Sequence, residues 1–184
     1  MGSFESVIAA LLERNDYWTR TCVKVELTPE EKRAIDRHSS PRWELDVVGY
    51  KAAENIILVV ECKSFLNSTG VRRDAFDGTN LKRAKRYKLF NDAKLRNVVL
   101  GRHRIQFEER GFCRPNPHIG LCLAAGNIRK GDQPWIQDHF DANKWILWTP
   151  DHISGQLKQL SQSAYENSIA AVVAKMLLRK NSLS

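Results

Sequence analysis

The sequence predicts an α/β protein with a central mixed β-sheet and helices on both faces. Three observations predict it. Residues 43–50 and 56–65 form two apolar runs separated by a short polar loop, the pattern of an antiparallel hairpin. Residues 118–125 and 144–148 read as further strands. Segments with apolar residues at three- and four-residue spacing lie before, between and after these strands and mark helices.

The elements follow in order. Ser3 can cap a first helix whose apolar positions are Phe4, Val7, Ile8, Leu11 and Leu12, and Asn15-Asp16 ends it. Residues 17–27 carry Cys22, Val23, Val25 and Leu27 among polar neighbours and read as a strand. Thr28-Pro29-Glu30-Glu31 is a capping box with proline at the first helical position, so a short helix is expected to about residue 38. The hairpin comes next. Residues 67–80, with Gly70 and Gly78, are expected to form a loop. Residues 81–90 read as a basic helix, and Leu95, Val98, Val99, Arg102, Ile105 and Gln106 continue a helical period to Gly111. Residues 126–143 are expected to be an exposed loop, and 151–160 and 165–179 amphipathic helices. No repeat, linker or low-complexity tract interrupts residues 1–184, which predicts one domain with a core at about 3–125 and a C-terminal strand and helices at 144–180.

Composition narrows the functional classes. Apolar residues make up 42% and charged residues 27%, as in ordinary globular proteins. The longest apolar runs, residues 7–12 and 169–174, are far too short for a bilayer, and the N-terminus has no basic region followed by an apolar run. Cys22, Cys62, Cys113 and Cys122 form no paired motif, so reduced thiols and a cytoplasmic location are expected. Cys113, His118 and Cys122 match no zinc module. No phosphate-binding GxxxxGK[ST] loop occurs, which argues against NTP hydrolysis. The net charge is +8 and the pI about 9.5, which favours a polyanionic partner.

The chemistry concentrates in residues 43–63. Strand side chains alternate, so Glu61 and Lys63 must share a face while Cys62 points to the other. A symmetric hairpin places Asp46 directly opposite Glu61, with Cβ atoms about 5 Å apart. Two carboxylates so close repel unless a cation lies between them, and magnesium favours such oxygens. Lys63 would then reach a metal-bound water or a scissile phosphate. The triplet acid-x-lysine is common: Glu30-Glu31-Lys32 and Asp92-Ala93-Lys94 are further examples, both at helical locations where positions two apart face different ways. Glu61-Cys62-Lys63 alone follows an apolar strand with an isolated acid one hairpin upstream.

With these residues the sequence resembles the PD-(D/E)xK nuclease superfamily, the matching positions being Asp46, Glu61 and Lys63. The order helix, three strands, helix, strand over residues 3–125 is similar to that superfamily's core, although Leu45 replaces the usual proline. The resemblance implies a restriction endonuclease-like three-layer α/β/α fold around a central mixed sheet. It implies magnesium-dependent cleavage of DNA, with manganese able to substitute. Asp46, Glu61 and the Cys62 carbonyl would hold the metal, and Lys63 would orient or activate water. It also implies an accessory glutamate from the first helix: Glu5 is preferred, Glu13 is the alternative, and Glu44 is a reserve ligand if its strand is regular.

Downstream, residues 82–88 pack five cations into seven positions, with Lys82, Lys85 and Arg86 expected on one helical face for phosphate contacts. Arg72 and Arg73 could clamp a backbone phosphate. Arg102, His103 and Arg104 form a weaker basic cluster. Double-strand cleavage by one site per chain would require a homodimer or a partner protein. The alternative reading is a catalytically silent nucleic-acid-binding or protein-interaction module of a larger defence or repair assembly.

Overall fold

The computed structural model describes residues 2–36, 42–162 and 169–179. Its centre is a five-stranded mixed sheet in the spatial order β1-β2-β3-β4-β5. The strands are β1 (Trp18–Val25), β2 (Trp43–Lys51), β3 (Ile56–Lys63), β4 (His118–Ala125) and β5 (Ile146–Trp148). The first three are antiparallel neighbours; β3 and β4 run parallel, as do β4 and β5. The parallel step from β3 to β4 needs a crossover, which residues 64–117 provide, mostly as helix.

Two separate cores cover the two faces, as expected for alternating side chains. On one face Val48, Tyr50, Ile57, Val59, Leu121 and Leu123 pack with Leu95, Val99 and Phe107 of α5 (Ala93–Glu109) and with Ile136 and Phe140 of α6 (Gln133–Ala142). On the other, Val47, Leu58, Val60, Cys62 and Cys122 pack with Ile8, Leu11 and Leu12 of α1 (Ser3–Arg14). Ile153 and Leu160 of α7 (Pro150–Gln162) and Ala171 of α8 (Ile169–Arg179) complete this second core. The fold is therefore α/β with helices against both faces of a mixed sheet.

The capping box forms as read: Thr28 Oγ1 accepts from the Glu31 amide and Glu31 Oε2 accepts from the Thr28 amide, starting α2 (Pro29–Ala34). Residues 37 and 38 of the expected helix, and 165–168 of the last one, lie outside the described residues.

Three expectations are corrected. The basic helix expected at 81–90 is two single turns, α3 (Leu81–Ala84) and α4 (Lys88–Asn91). The break falls at Tyr87, whose backbone (φ −129°, ψ 47°) is not helical, and Tyr87, Leu89 and Phe90 are all buried. Leu81, expected to face inward, is 73% exposed. The loop expected at 126–143 contains α6, which has a proline in its first turn and buries Ile136 and Phe140 one turn apart. Residues 67–80 form the expected loop, with a 3₁₀ turn, Arg73–Ala75, and a bridge from Val71 to Ile128. Among the described residues no helix is long and apolar enough to cross a membrane.

Candidate functional site

The β2–β3 register is constant from Lys51↔Ile56 to Val47↔Val60. Asp46 and Glu61 are next in that line, the pairing the symmetric hairpin predicts. There the two strands stop pairing as backbone. The Cys62 amide donates instead to the Asp46 carboxylate, N to Oδ2 2.8 Å. The N–H and C=O of a strand residue point to the same edge, so the Cys62 carbonyl also faces the Asp46 side. The Lys63 carbonyl faces the opposite edge and accepts from the Gly126 amide at 2.9 Å.

Asp46 sits where alternation fails. Leu45 and Val48 belong to the same core, and Val47 to the other. On β1 the pairing runs Val23↔Leu45 and Thr21↔Val47, and Cys22 between them has φ +53°. A side-chain-bearing residue in the left-handed region within a strand is a local distortion, and here the register is the same on both sides of it. The regular strand that would have put Glu44 on the face of Asp46 is therefore absent; Glu44 is exposed opposite Lys24.

Lys63 Nζ lies 2.6 Å from Glu61 Oε1 and 3.9 Å from Asp46 Oδ2. All three side chains are less than one-third exposed, so this is a shielded cluster with a net charge of −1 when each group is ionised. Burial pushes the Glu61 carboxyl above the usual carboxylate range, and the Asp46 charge adds to this while Lys63 opposes it. Cys62 points to the α1 core, where burial raises its thiol far from the thiolate form.

The cluster fits a hard divalent cation. A lysine ammonium already stands against both acids, and the cluster retains a negative charge that burial makes costly. Among the described residues, Asp46 Oδ1 and Glu61 Oε2 accept no hydrogen bond. No group of three or more His, Cys, Asp or Glu side chains among the described residues is placed to hold a metal. Magnesium is commonly bound by one or two carboxylates, the donors that Asp46 and Glu61 supply.

The first-helix candidates separate. Glu13 is exposed and accepts from Thr19 Oγ1 at the start of β1. Glu5 is half-buried, with Oε2 buried and unpartnered, and its charge acts on Cys62. A Cβ at Gly126 would lie 3.2 Å from the Phe4 ring, so the α1 N-terminus meets the sheet at the end that carries Lys63. Glu5 thus reaches the same end of the sheet from the opposite face, and no hydrogen bond or ion pair joins it to Asp46, Glu61 or Lys63.

A polar cleft of about 320 Å³ adjoins the cluster. Tyr87 connects the two: it lines the cleft and its ring centroid is 6.0 Å from Lys63 Nζ. Burial raises its phenol, and Glu61 and Asp74 act in the same direction. Arg72, Lys82 and Arg86 line the cleft, as does Arg83, which sequence reading passed over. Asp74 pairs with Arg72 at 3.6 Å and with Arg83. Asn80 caps α3 by accepting from the Arg83 amide at 3.0 Å and lines the same cleft.

The other predicted cations lie elsewhere. Arg73 is committed to Asp77 at 3.2 Å and to the face of Trp135, 4.7 Å from the ring centroid. Lys85 is exposed outside the cleft lining. Arg102 is held 2.9 Å from Glu31, and His103 is buried, so residues 102–104 present no basic surface cluster.

Gly70 and Gly126 set the walls, and neither drew notice in the sequence as part of the site. Gly70, at φ +80°, would place a Cβ 2.6 Å from the Asn127 carbonyl oxygen, and Gly126 one 2.4 Å from the Ser64 carbonyl oxygen. Gly126 follows directly on an apolar strand, the available signal for a close backbone approach.

No protein-family model and no curated protein matches the chain. One solved structure, described as a protein of unknown function, AF1548, is similar with a TM-score of 0.43 and 14% identity, covering 96% of this chain and 76% of that one.

Proposed function

We propose that the protein is a magnesium-dependent nuclease that hydrolyses DNA phosphodiesters, on a restriction endonuclease-like fold. The observation that carries this reading is the Lys63 ammonium set against both Asp46 and Glu61 at the ends of adjoining strands, beside a cation-lined cleft.

Hydrolysis adds a water oxygen to phosphorus and breaks one P–O bond; the water gives up a proton and the departing sugar oxygen gains one. Asp46, Glu61 and the Cys62 carbonyl would hold the metal. When bound, the ion lowers the pKa of water and offsets phosphate charge. Lys63 is fixed by its two acids and would orient the attacking water and face the charge that develops on phosphate oxygen. Tyr87, whose ring centroid is 6.0 Å from Lys63 Nζ, would back it on one side. Glu5 would act as the accessory acid at the same end of the sheet. Arg72, Lys82 and Arg86 would hold flanking phosphates.

The test is nicking of supercoiled plasmid, which should require added magnesium, stop with EDTA, and disappear in Asp46→Ala and Lys63→Ala.

A further inference from the structure

The cleft beside the acid cluster has a shape and a lining that a generic phosphate surface does not need. Its volume of about 320 Å³ is at the small end of ligand pockets. A duplex, whose grooves alone are about 12 and 6 Å wide, cannot enter a space of that size. One nucleotide can.

The walls combine cations with an aromatic side chain. Lys82, Arg83 and Arg86 lie on and just after α3, and Phe65 lines the cleft from the loop that follows β3. Phe65 has φ +43°, the left-handed region, which is uncommon for a bulky residue and persists only where its surroundings enforce it. Those surroundings are visible. The Phe65 carbonyl accepts from the Ser68 amide at 3.1 Å, from Ser68 Oγ at 3.3 Å and from Asn127 Nδ2 at 3.5 Å. Asn127 Nδ2 also donates to the Ser68 carbonyl at 2.7 Å. The Val71 amide bonds to the Asn127 carbonyl at 2.9 Å, beside the close approach at Gly70. The loop is therefore fixed against the end of β4, with Phe65 partly buried against the core and lining the cleft. Strain retained in this way tends to mark a binding position.

From these observations we infer that the cleft takes a single unpaired nucleotide, with its base against Phe65 and its phosphate on Lys82 and Arg86. The preferred substrate is then single-stranded or locally unpaired nucleic acid. Aromatic stacking plus a basic groove is the general chemistry of single-strand recognition, and it tolerates any base. Arg83 is partly neutralised by Asp74, which leaves Lys82 and Arg86 as the stronger phosphate contacts. The inference rests on the nuclease reading of the acid cluster, because it names the substrate of that site.

The experiment measures binding by fluorescence anisotropy in EDTA, so that no cleavage occurs. The probes are a labelled oligothymidylate, the matching oligouridylate and a hairpin duplex of equal length. The wild type should bind the single strands at least about tenfold tighter than the duplex. Phe65→Ala should weaken single-strand binding about tenfold, and Phe65→Tyr should retain it. Lys82→Gln and Arg86→Gln, at exposed positions, should each lower the salt slope by about 0.7. Thermal unfolding confirms that each variant is folded; if Phe65→Ala is not, Phe65→Tyr with the two charge variants decides. Equal or tighter duplex binding, or a folded Phe65→Ala that binds like wild type, overturns the inference. Magnesium-dependent nicking without single-strand preference overturns this inference alone, whereas failure to bind any of the probes overturns it together with the nuclease reading.

Discussion

The Cys62 amide donates to the Asp46 carboxylate at 2.8 Å, so one side chain closes the gap where two strands cease to pair. Asp46 therefore carries a structural duty as well as a proposed chemical one. Asp46→Ala leaves a part-buried N–H without a partner and should cost about 1–3 kcal/mol of stability. Asp46→Asn keeps an acceptor oxygen and should cost less than about 1 kcal/mol. Urea unfolding of the two variants checks the difference, and equal losses would contradict the role of this bond.

Glu61 is held above its ordinary pKa chiefly by burial. A carboxyl raised in the folded state favours folding while protonated, and that contribution is lost as pH rises through its folded pKa. Glu61→Gln should therefore stabilise the protein near neutral pH relative to acid pH. Lys63→Gln removes the opposing charge and should destabilise more at pH 8 than at pH 5. Denaturant midpoints across this range measure both trends.

His103 is buried against the Phe107 ring, 4.2 Å between centroids, and burial pushes its pKa down to about 4. A histidine depressed in this way contributes stability above its unfolded pKa, and that contribution is lost as pH falls toward the folded value. The pH window is about 6.5 to 4, and the loss on full protonation is roughly 3 kcal/mol. His103→Leu should flatten the unfolding midpoint across that window. An unchanged slope would show that other groups produce it.

Gly126 sits where the end of β4 meets the residue after Lys63. Gly126→Ala would place a Cβ 2.4 Å from a backbone oxygen, which cannot swing aside as a flexible side chain would. It should cost about 1–3 kcal/mol and displace the end of β3. Cleavage should fall more than stability, because Lys63 rides on that backbone. Crystal structures and nicking rates of this variant test the point.

Much of this arrangement is legible in the sequence. The hairpin register follows from two apolar runs and a short loop, and it places Asp46 beside Glu61. The capping box at Thr28 reads directly. The break in alternation at Asp46 is not legible, because it lies opposite the distortion at Cys22, and nothing local to Cys22 demands φ +53°. The helix α6 was hidden because it buries only Ile136 and Phe140 and lies in a polar stretch next to Gly131. The cleft was half legible. Its cations stand out, but the basic run reads as one helix, and nothing in it marks the non-helical backbone of Tyr87 that divides it into two turns. Phe65 and Asn127 carry no sequence signal, since their roles depend on loops meeting across the end of the sheet.

The central claim is that Asp46, Glu61 and Lys63 form one hydrolytic centre. The most direct test is the initial rate of magnesium-dependent plasmid nicking by wild type, Asp46→Asn and Lys63→Gln, each shown to be folded by its unfolding curve. Magnesium-dependent nicking that falls by about 10²-fold or more in both variants is the expected result. A wild type that does not nick with magnesium, or folded variants that nick at the wild-type rate, would contradict it.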